Sequence, residues 1–451
     1  MRFALPLLLA SLCALGLVAS LLTAWPGDLS IDMVTSIREG VYFGFYGHQE
    51  PVCGLLWAGV NSLVAPGVGA TWLFVLQSVA YWSAFALLAV AMLRSGSALA
   101  ALLATAAAYL PPLACFSPLI DSNVVCGIAW LLAVAVAVAA RSRTAMLLCL
   151  LLLWFGFAIR SGMIAAVVPV AFACLTLALP QARFWRRVVL AVALGLGMQG
   201  VSFGVTKIFL GGPSRAQVLS ISQAFDMAGV YKRTGVHHIP TFMVPQGHAA
   251  EEVLANYDPG NCSPLFWRGD GKPVFAKARN AEQGAEVQAA WLKTIFDHPG
   301  AWLAVKLDFA SRFLMVGDEW PPGRSLGFEG NPMMEMSQPA DRKLVLHNRV
   351  SESTARWLVW RGWIWLLVAG GLNLVSLLVG GARALPAVAL FAGGCASIVP
   401  HLVLGQAAHC RYYFLPYSLM AMSVVFAVLA MSASLRARFR RGATSAAAPT
   451  A

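Results

Sequence analysis

The chain has 451 residues, 59% of them hydrophobic and 12% charged, with a mean hydropathy of +0.70, whereas soluble domains average roughly 45–50% apolar and about 25% charged. That balance excludes a disordered chain and a soluble enzyme, and it defines a polytopic membrane protein. A net charge of +12 raises the question of a nucleic-acid partner, which the location of the charges answers.

Ten apolar stretches read as spans of the roughly 30 Å hydrocarbon layer: residues 3–25, 70–93, 97–117, 121–140, 144–158, 163–179, 188–209, 357–379, 384–404 and 412–434. With the N-terminus cytoplasmic, the inner segments hold twelve basic residues, from Arg2 through Arg94, Arg141 and Arg187 to Arg441, and no Asp or Glu. The other side then carries 20 basic residues against all 20 acidic ones, so the whole excess is the positive-inside signature. Nothing basic is left for nucleic acid. Both termini are expected in the cytoplasm and the chain in the inner (plasma) membrane. Cysteine labelling is therefore expected to find positions 142 and 442 inside and 270 outside; external access to position 142 would break this topology.

The expected organisation is an N-terminal membrane module at 1–209 with seven spans and a first outer loop at 26–69, then an extracytoplasmic loop domain at 210–356. A C-terminal module of three spans at 357–434 and a basic tail at 435–451 complete it, the Ala, Thr, Ser and Pro content from Ala443 suggesting a disordered end. The first apolar run exceeds the 7–15 residues typical of a secretory h-region and reads as an uncleaved anchor. Residues 52–66 read as a helix on the outer leaflet, because an eleventh span there would reverse every later loop. Six of the nine cysteines lie in spans as small hydrophobes, and Cys53, Cys262 and Cys410 lie outside them. No disulfide or zinc framework is visible in their spacing.

Polar groups gather on the outer side. Trp25-Pro26-Gly27-Asp28 ends the first span and sets Asp28 at the interface, where an isolated carboxylate is costly without a partner or a task. Asp28, Asp32, Thr35 and Glu39 recur at helical spacing opposite Ile31, Val34 and Ile37, predicting a helix that ends at Gly40. An aromatic stretch, Tyr42 to Tyr46, leads to His48-Gln49-Glu50-Pro51 and suits sugar rings or the membrane interface equally. Asp121 opens the fourth span, as a helix N-cap or a ligand contact. Arg160, in the turn between spans five and six, either snorkels as an anchor or grips a phosphate.

In the large loop, Phe225-Asp226-Met227-Ala228 begins a helix-like stretch. Residues 282–296 have helical spacing, and a second helix starts at Pro299 after His298. Residues 317–339, rich in Gly, Pro and Met, read as a loop able to close over a substrate. His237, His238 and His248 are too loosely spaced for a zinc motif. His401, Gln406, His409 and Arg411-Tyr412-Tyr413 cluster at the outer end of the last two spans.

Over nearly the whole chain this order of features resembles the GT-C superfamily of polytopic glycosyltransferases, particularly the bacterial aminoarabinose and mannosyl transferases. The resemblance rests on Asp28 after the first span, His48-Gln49-Glu50-Pro51 after an aromatic run, Asp121 opening a span, and Arg160-Ser161-Gly162. Phe225-Asp226-Met227-Ala228, His298-Pro299 and Arg411-Tyr412-Tyr413 complete it. Two positions depart from the family pattern: Gln49-Glu50 stand where prolines follow the His, and Ile120 stands where a Lys often precedes the Asp.

The resemblance implies an all-α membrane fold and a sugar donor on a polyprenyl phosphate, with an extracytoplasmic glycan, lipid or protein as acceptor and inversion at the anomeric carbon. Asp28 would be the general base, while Arg160 and Arg411 would stabilise the departing lipid phosphate. His48, Glu50 and Asp121 would orient sugar hydroxyls, with Asp32, Asp226 and Tyr412 as further substrate contacts. It implies no resident cofactor and no metal ligand set, leaving a divalent metal open. Two other classes stay open at this stage. A lipid-linked glycan flippase or transporter calls for ionisable groups at mid-membrane, which these spans lack; a noncatalytic scaffold would tolerate loss of Asp28.

Overall fold

The computed structural model describes residues 4–25, 27–42, 50–63, 69–139, 142–210, 215–236, 238–244, 250–266, 273–317, 353–354, 357–405, 407–408 and 410–446. Helices dominate them. Seven helical segments among the described residues are long and apolar enough to cross a membrane. The longest, Gly362–Leu404, turns through a 3-10 segment at Gly381–Ala384 into two helices of 19 and 20 residues. The chain is thus a multi-pass, all-α membrane protein.

In chain order the elements that matter here are α1 (Ala4–Ala24), β1 (Asp28–Leu29), α2 (Ile31–Tyr42), α3 (Pro51–Leu63), α4 (Gly69–Arg94), α5 (Ala98–Ala108), α6 (Pro111–Ala114), β2 (Leu119–Ile120), α7 (Ser122–Ala139) and α8 (Arg143–Ile159). Next come α9 (Ile164–Ala178), α10 (Phe184–Leu210), α11 (Arg215–Thr234), α12 (Ala250–Asn256), α13 (Ser263–Phe266), α14 (Ala281–Asp297) and α15 (Pro299–Phe313). The last three are α16 (Gly362–Gly380), α17 (Leu385–Leu404) and α18 (Phe414–Ala446).

At the centre of the helix bundle stands α7, which packs against α4, α8, α9 and α18 and buries Trp130 completely. Because lipid tails are as apolar as leucine, such helices associate through close packing rather than hydrophobic drive. The Ala-rich α5 shows this, burying Ala100, Ala101, Ala104, Ala107 and Ala108 and packing against α4 and α18.

Four expectations are corrected. The stretch 97–117 is not one continuous helix: α5 stops at Ala108 after 11 residues, about 16 Å of rise, because Pro111 and Pro112 cannot continue its hydrogen bonding. Tyr81 on α4 donates its hydroxyl to the freed Ala108 carbonyl at 2.7 Å, meeting the need of a buried helix end. Asp28 is not on α2; it lies in β1, and Ser30 caps the helix by accepting the Met33 N–H at 3.3 Å.

Gly40 does not end α2, which runs on to Tyr42; it is where α2 and α3 meet backbone to backbone, since a Cβ there would run into the Gly54 carbonyl. Gly40→Ala is accordingly expected to cost about 1–3 kcal/mol through overpacking, read as a lowered Tm in detergent; an unchanged Tm would remove that crossing. Finally, the basic tail is helical as far as Ala446, as its Ala and Arg content favours. Arg436 anchors it by donating to the Gly96 and Ser95 carbonyls.

That anchor also defines the two ends of the molecule. Arg436 touches the 95–96 turn, and Arg383 reaches Ser434 at 3.4 Å, so three segments read as lying on one side cluster at one end. Arg411 stands 25 residues before Arg436 along the same terminal segment, about 35–40 Å away. The carboxylates described next lie at the Arg411 end.

The 210–356 region contributes three long helices at the described residues, α11, α14 and α15, packed on one another. The helix-like stretch expected from Phe225 is the middle of α11, and residues 282–296 and 299–315 coincide with α14 and α15. The stretch 318–339 lies outside the described residues. Cys53 and Cys262 are free, buried thiols.

Candidate functional site

Among the described residues the one sheet is β1 with β2, a parallel pair in which Asp28 stands opposite Leu119 and Leu29 opposite Ile120. It clips the loop after the first helix to the turn before α7. That turn is itself held from α4, where the buried amide of Gln77 donates to the Ser117 and Leu119 carbonyls at 2.5 and 2.9 Å. The clip carries Asp28, Asp32 and Asp121 to one place.

Arg411, from the segment preceding α18, enters the same place. Its Nη2 donates to Asp32 Oδ2 at 2.6 Å, and its Nη1 faces Asp121 Oδ2 at 3.6 Å. Nη2 also lies 3.3 Å from the Tyr412 hydroxyl, and the guanidinium carbon stands 5.2 Å from the Tyr412 ring centre. Asp121 is fully buried, a position an isolated carboxylate cannot occupy at acceptable cost. Its Oδ1 accepts from the Asn123 backbone N–H at 2.8 Å and from the Asn123 side chain at 2.9 Å, so the expected N-cap role and the Arg411 pairing hold together.

Glu50, directly before Pro51 at the start of α3, accepts a hydrogen bond from the Ser161 hydroxyl. Beside Ser161, Arg160 caps the C-terminus of α8 and is half-buried. Its charge is felt at Cys53 and Cys126 on one hand and at His401 and Tyr412 on the other, which puts it in the neighbourhood of both the Glu50 and the Arg411 groups. Its guanidinium makes no ion pair among the described residues. Of the two arginines expected to share one role, Arg411 is thus already balanced by two carboxylates, while Arg160 has no carboxylate partner among the described residues.

Three buried polar atoms of this cluster have no hydrogen-bond partner among the described residues: Asp121 Oδ2, Asn123 Oδ1 and Arg411 Nε. Buried polar groups are normally satisfied. Asp121 Oδ2 still has the Arg411 Nη1 charge 3.6 Å away, so two acceptors and a donor in this cluster keep hydrogen-bonding capacity that no described residue takes up.

The structure thus brings together Asp32, Glu50, Asp121, Arg160, Arg411 and Tyr412, with the Asp28 backbone clipped beside them. The Asp28 side chain and all of His48 lie outside the described residues. Asp226 does not join them. On α11 its carboxylate accepts from Lys306 at 2.6 Å and from the indoles of Trp291 and Trp302 at 3.0 and 3.2 Å, and it shares no partner with Arg411. Burial pushes this carboxyl up, against the pull of Lys306. Sequence reasoning missed Gln77, Asn123, Ser161 and Lys306. Ser161 lies within the Arg160-Ser161-Gly162 element, whereas a lone Gln on a span or Lys on an amphipathic helix carries no local signal. No group of three or more His, Cys, Asp or Glu able to hold a metal ion occurs among the described residues.

No family model, curated protein or solved structure matches this chain.

Proposed function

We propose that this protein is a polytopic membrane glycosyltransferase of the GT-C kind, moving a sugar from a polyprenyl-phosphate donor to an extracytoplasmic glycan, lipid or protein with inversion. The observation that carries the reading is the convergence at one end of the bundle of Asp28, Asp32, Glu50, Asp121, Arg160 and Arg411, drawn from five separate stretches of chain. Its acceptors and donor without a hydrogen-bond partner among the described residues suit sugar hydroxyls, and Arg160, without an ion pair among those residues, suits a phosphate.

In this reading ten segments cross the inner (plasma) membrane. Gly362–Leu404 counts as two crossings, Arg143–Ile159 as one, and the broken stretch 97–117, running from α5 through the Pro111-Pro112 turn into α6, as the last. The basic end faces the cytoplasm by the positive-inside rule, so the carboxylate cluster meets a lipid-linked donor at the outer leaflet. Asp28 takes the proton from the acceptor hydroxyl as that oxygen attacks the anomeric carbon, and the bond to the lipid phosphate breaks. Arg160 receives the charge that develops on the departing phosphate. Arg411 holds Asp32 and Asp121 as acceptors for sugar hydroxyls.

Mass spectrometry of cell-envelope glycans with and without this protein tests the proposal, together with release of polyprenyl phosphate by the purified protein. An unchanged envelope and no release would overturn it. Arg160→Lys is expected to weaken donor use about 10- to 150-fold while sparing acceptor binding, since Lys offers one compact charge where a guanidinium forks over two oxygens. Kinetics against donor concentration check this, and an unchanged donor dependence would make Arg160 a mere anchor.

A further inference from the structure

The end of α17 is gripped from outside the bundle. Its last two carbonyls, Val403 and Leu404, accept from Lys306 Nζ and Ser222 Oγ, each at 2.7 Å. Lys306 lies on α15 and Ser222 on α11. A cation at a helix C-terminus also meets the negative end of the helix dipole. Immediately beyond, Gly405 leaves no room for a Cβ, which would sit 2.5 Å from the Phe309 ring. Lys306 and Phe313, seven residues apart and so on one face of α15, both engage this last turn: Phe313 stacks on the buried His401 at 5.5 Å and 20°. His401 also stacks on Tyr412 at 4.7 Å and 27°. Tyr412 in turn lies against Arg411.

We infer that Lys306, held by Asp226, is a positioning residue: it fixes the last turn of α17 so that His401 supports Tyr412 and Arg411 in the geometry that receives Asp32 and Asp121. Asp226 therefore acts on the site through Lys306 rather than by touching a substrate. The ion pair is well built for this. Lys306 Nζ has two short bonds, one to Asp226 and one to Val403. Two indoles fasten the second Asp226 oxygen. The significance of the inference for transfer rests on the glycosyltransferase reading; the physical link does not.

The experiment uses the full chain in lipid nanodiscs, labelled with 3-fluorotyrosine, the Tyr412 resonance being assigned by its loss in Tyr412→Phe. Lys306→Met is expected to move that resonance, and Lys306→Arg to restore it. Arg233→Gln, which breaks the partly exposed Arg233–Asp308 pair elsewhere on α11 and α15, is expected to leave it in place. Binding of undecaprenyl phosphate is expected to weaken about 3- to 30-fold in Lys306→Met, the range of mutations that act through a network without touching ligand. An unmoved Tyr412 resonance in Lys306→Met, or an equal movement in Arg233→Gln, overturns the inference. If Lys306→Met does not accumulate, Ser222→Ala removes the other clamp, and an unmoved resonance there overturns it equally. A wild-type protein that ignores undecaprenyl phosphate counts against the glycosyltransferase reading, while the fluorine signal still decides the positioning role.

Discussion

Asp28→Asn is expected to abolish sugar transfer while the protein remains in the membrane at normal abundance. An amide keeps the shape of the side chain but cannot take a proton, and general-base assistance is worth about 10²–10⁴-fold. The substitution leaves the β1–β2 clip intact, because that pairing uses the backbone of Asp28 and Leu29. The other acids nearby are engaged: Asp32 by Arg411, Asp121 by Asn123, Glu50 by Ser161. Turnover of a purified Asp28→Asn variant with lipid-linked donor is the measurement. Near-normal turnover at normal abundance would move the base to Asp32 or Glu50, or end the enzyme reading.

The second large effect is expected at Arg411, and it concerns stability. Asp121 is fully buried, and Arg411 is the cation that faces it while bonding Asp32. Removing one partner of a buried ion pair leaves an uncompensated charge and costs about 3–5 kcal/mol. Arg411→Ala should therefore lower the Tm of the solubilised protein strongly and reduce its yield. Adding Asp121→Asn to it should restore part of that loss, since the orphaned charge is gone, even though activity stays absent. Arg411→Lys should sit between wild type and Ala, because one ammonium cannot reach two carboxylates as a fork does. A stable Arg411→Ala protein would mean that the pairing contributes nothing to the fold.

Most helices were readable because the physical signal is strong and local: apolar runs, the helix start at Pro299 and the helical spacing at 282–315 each act over a turn or two, whereas the break at Pro111-Pro112 lies inside an apolar run that hides it. The helical α2 was legible for the same reason, but its start was not. Asp28 shares the spacing of Asp32 and Glu39, and only the pairing with Leu119, a contact across about ninety residues of chain, pulls it into a strand. Gly40 shows a second limit. A glycine at the end of a periodic stretch suggests a helix stop, and nothing nearby in sequence reveals that Gly54 presses a carbonyl against it. At the site, the separate elements around Asp28, Glu50, Asp121, Arg160 and Arg411 could be picked out one by one. Their division of labour could not, because it depends on which carboxylate reaches which arginine. Asp226 illustrates the point: its neighbours in sequence look like a motif, but its partners are Lys306, Trp291 and Trp302.

Asp32 and Arg411 are separated by 379 positions, a distance with a meaning in time. A ribosome adding about 5–20 residues per second needs roughly 20–75 s to pass from one to the other. Throughout that interval Asp32, and for most of it the later Asp121, is already made while its guanidinium is not. The nascent chain must keep both acids hydrated or neutral until Arg411 arrives, so a chain truncated before it would be marked by stranded charge. Arrival of Arg411 is then the event that closes the carboxylate cluster.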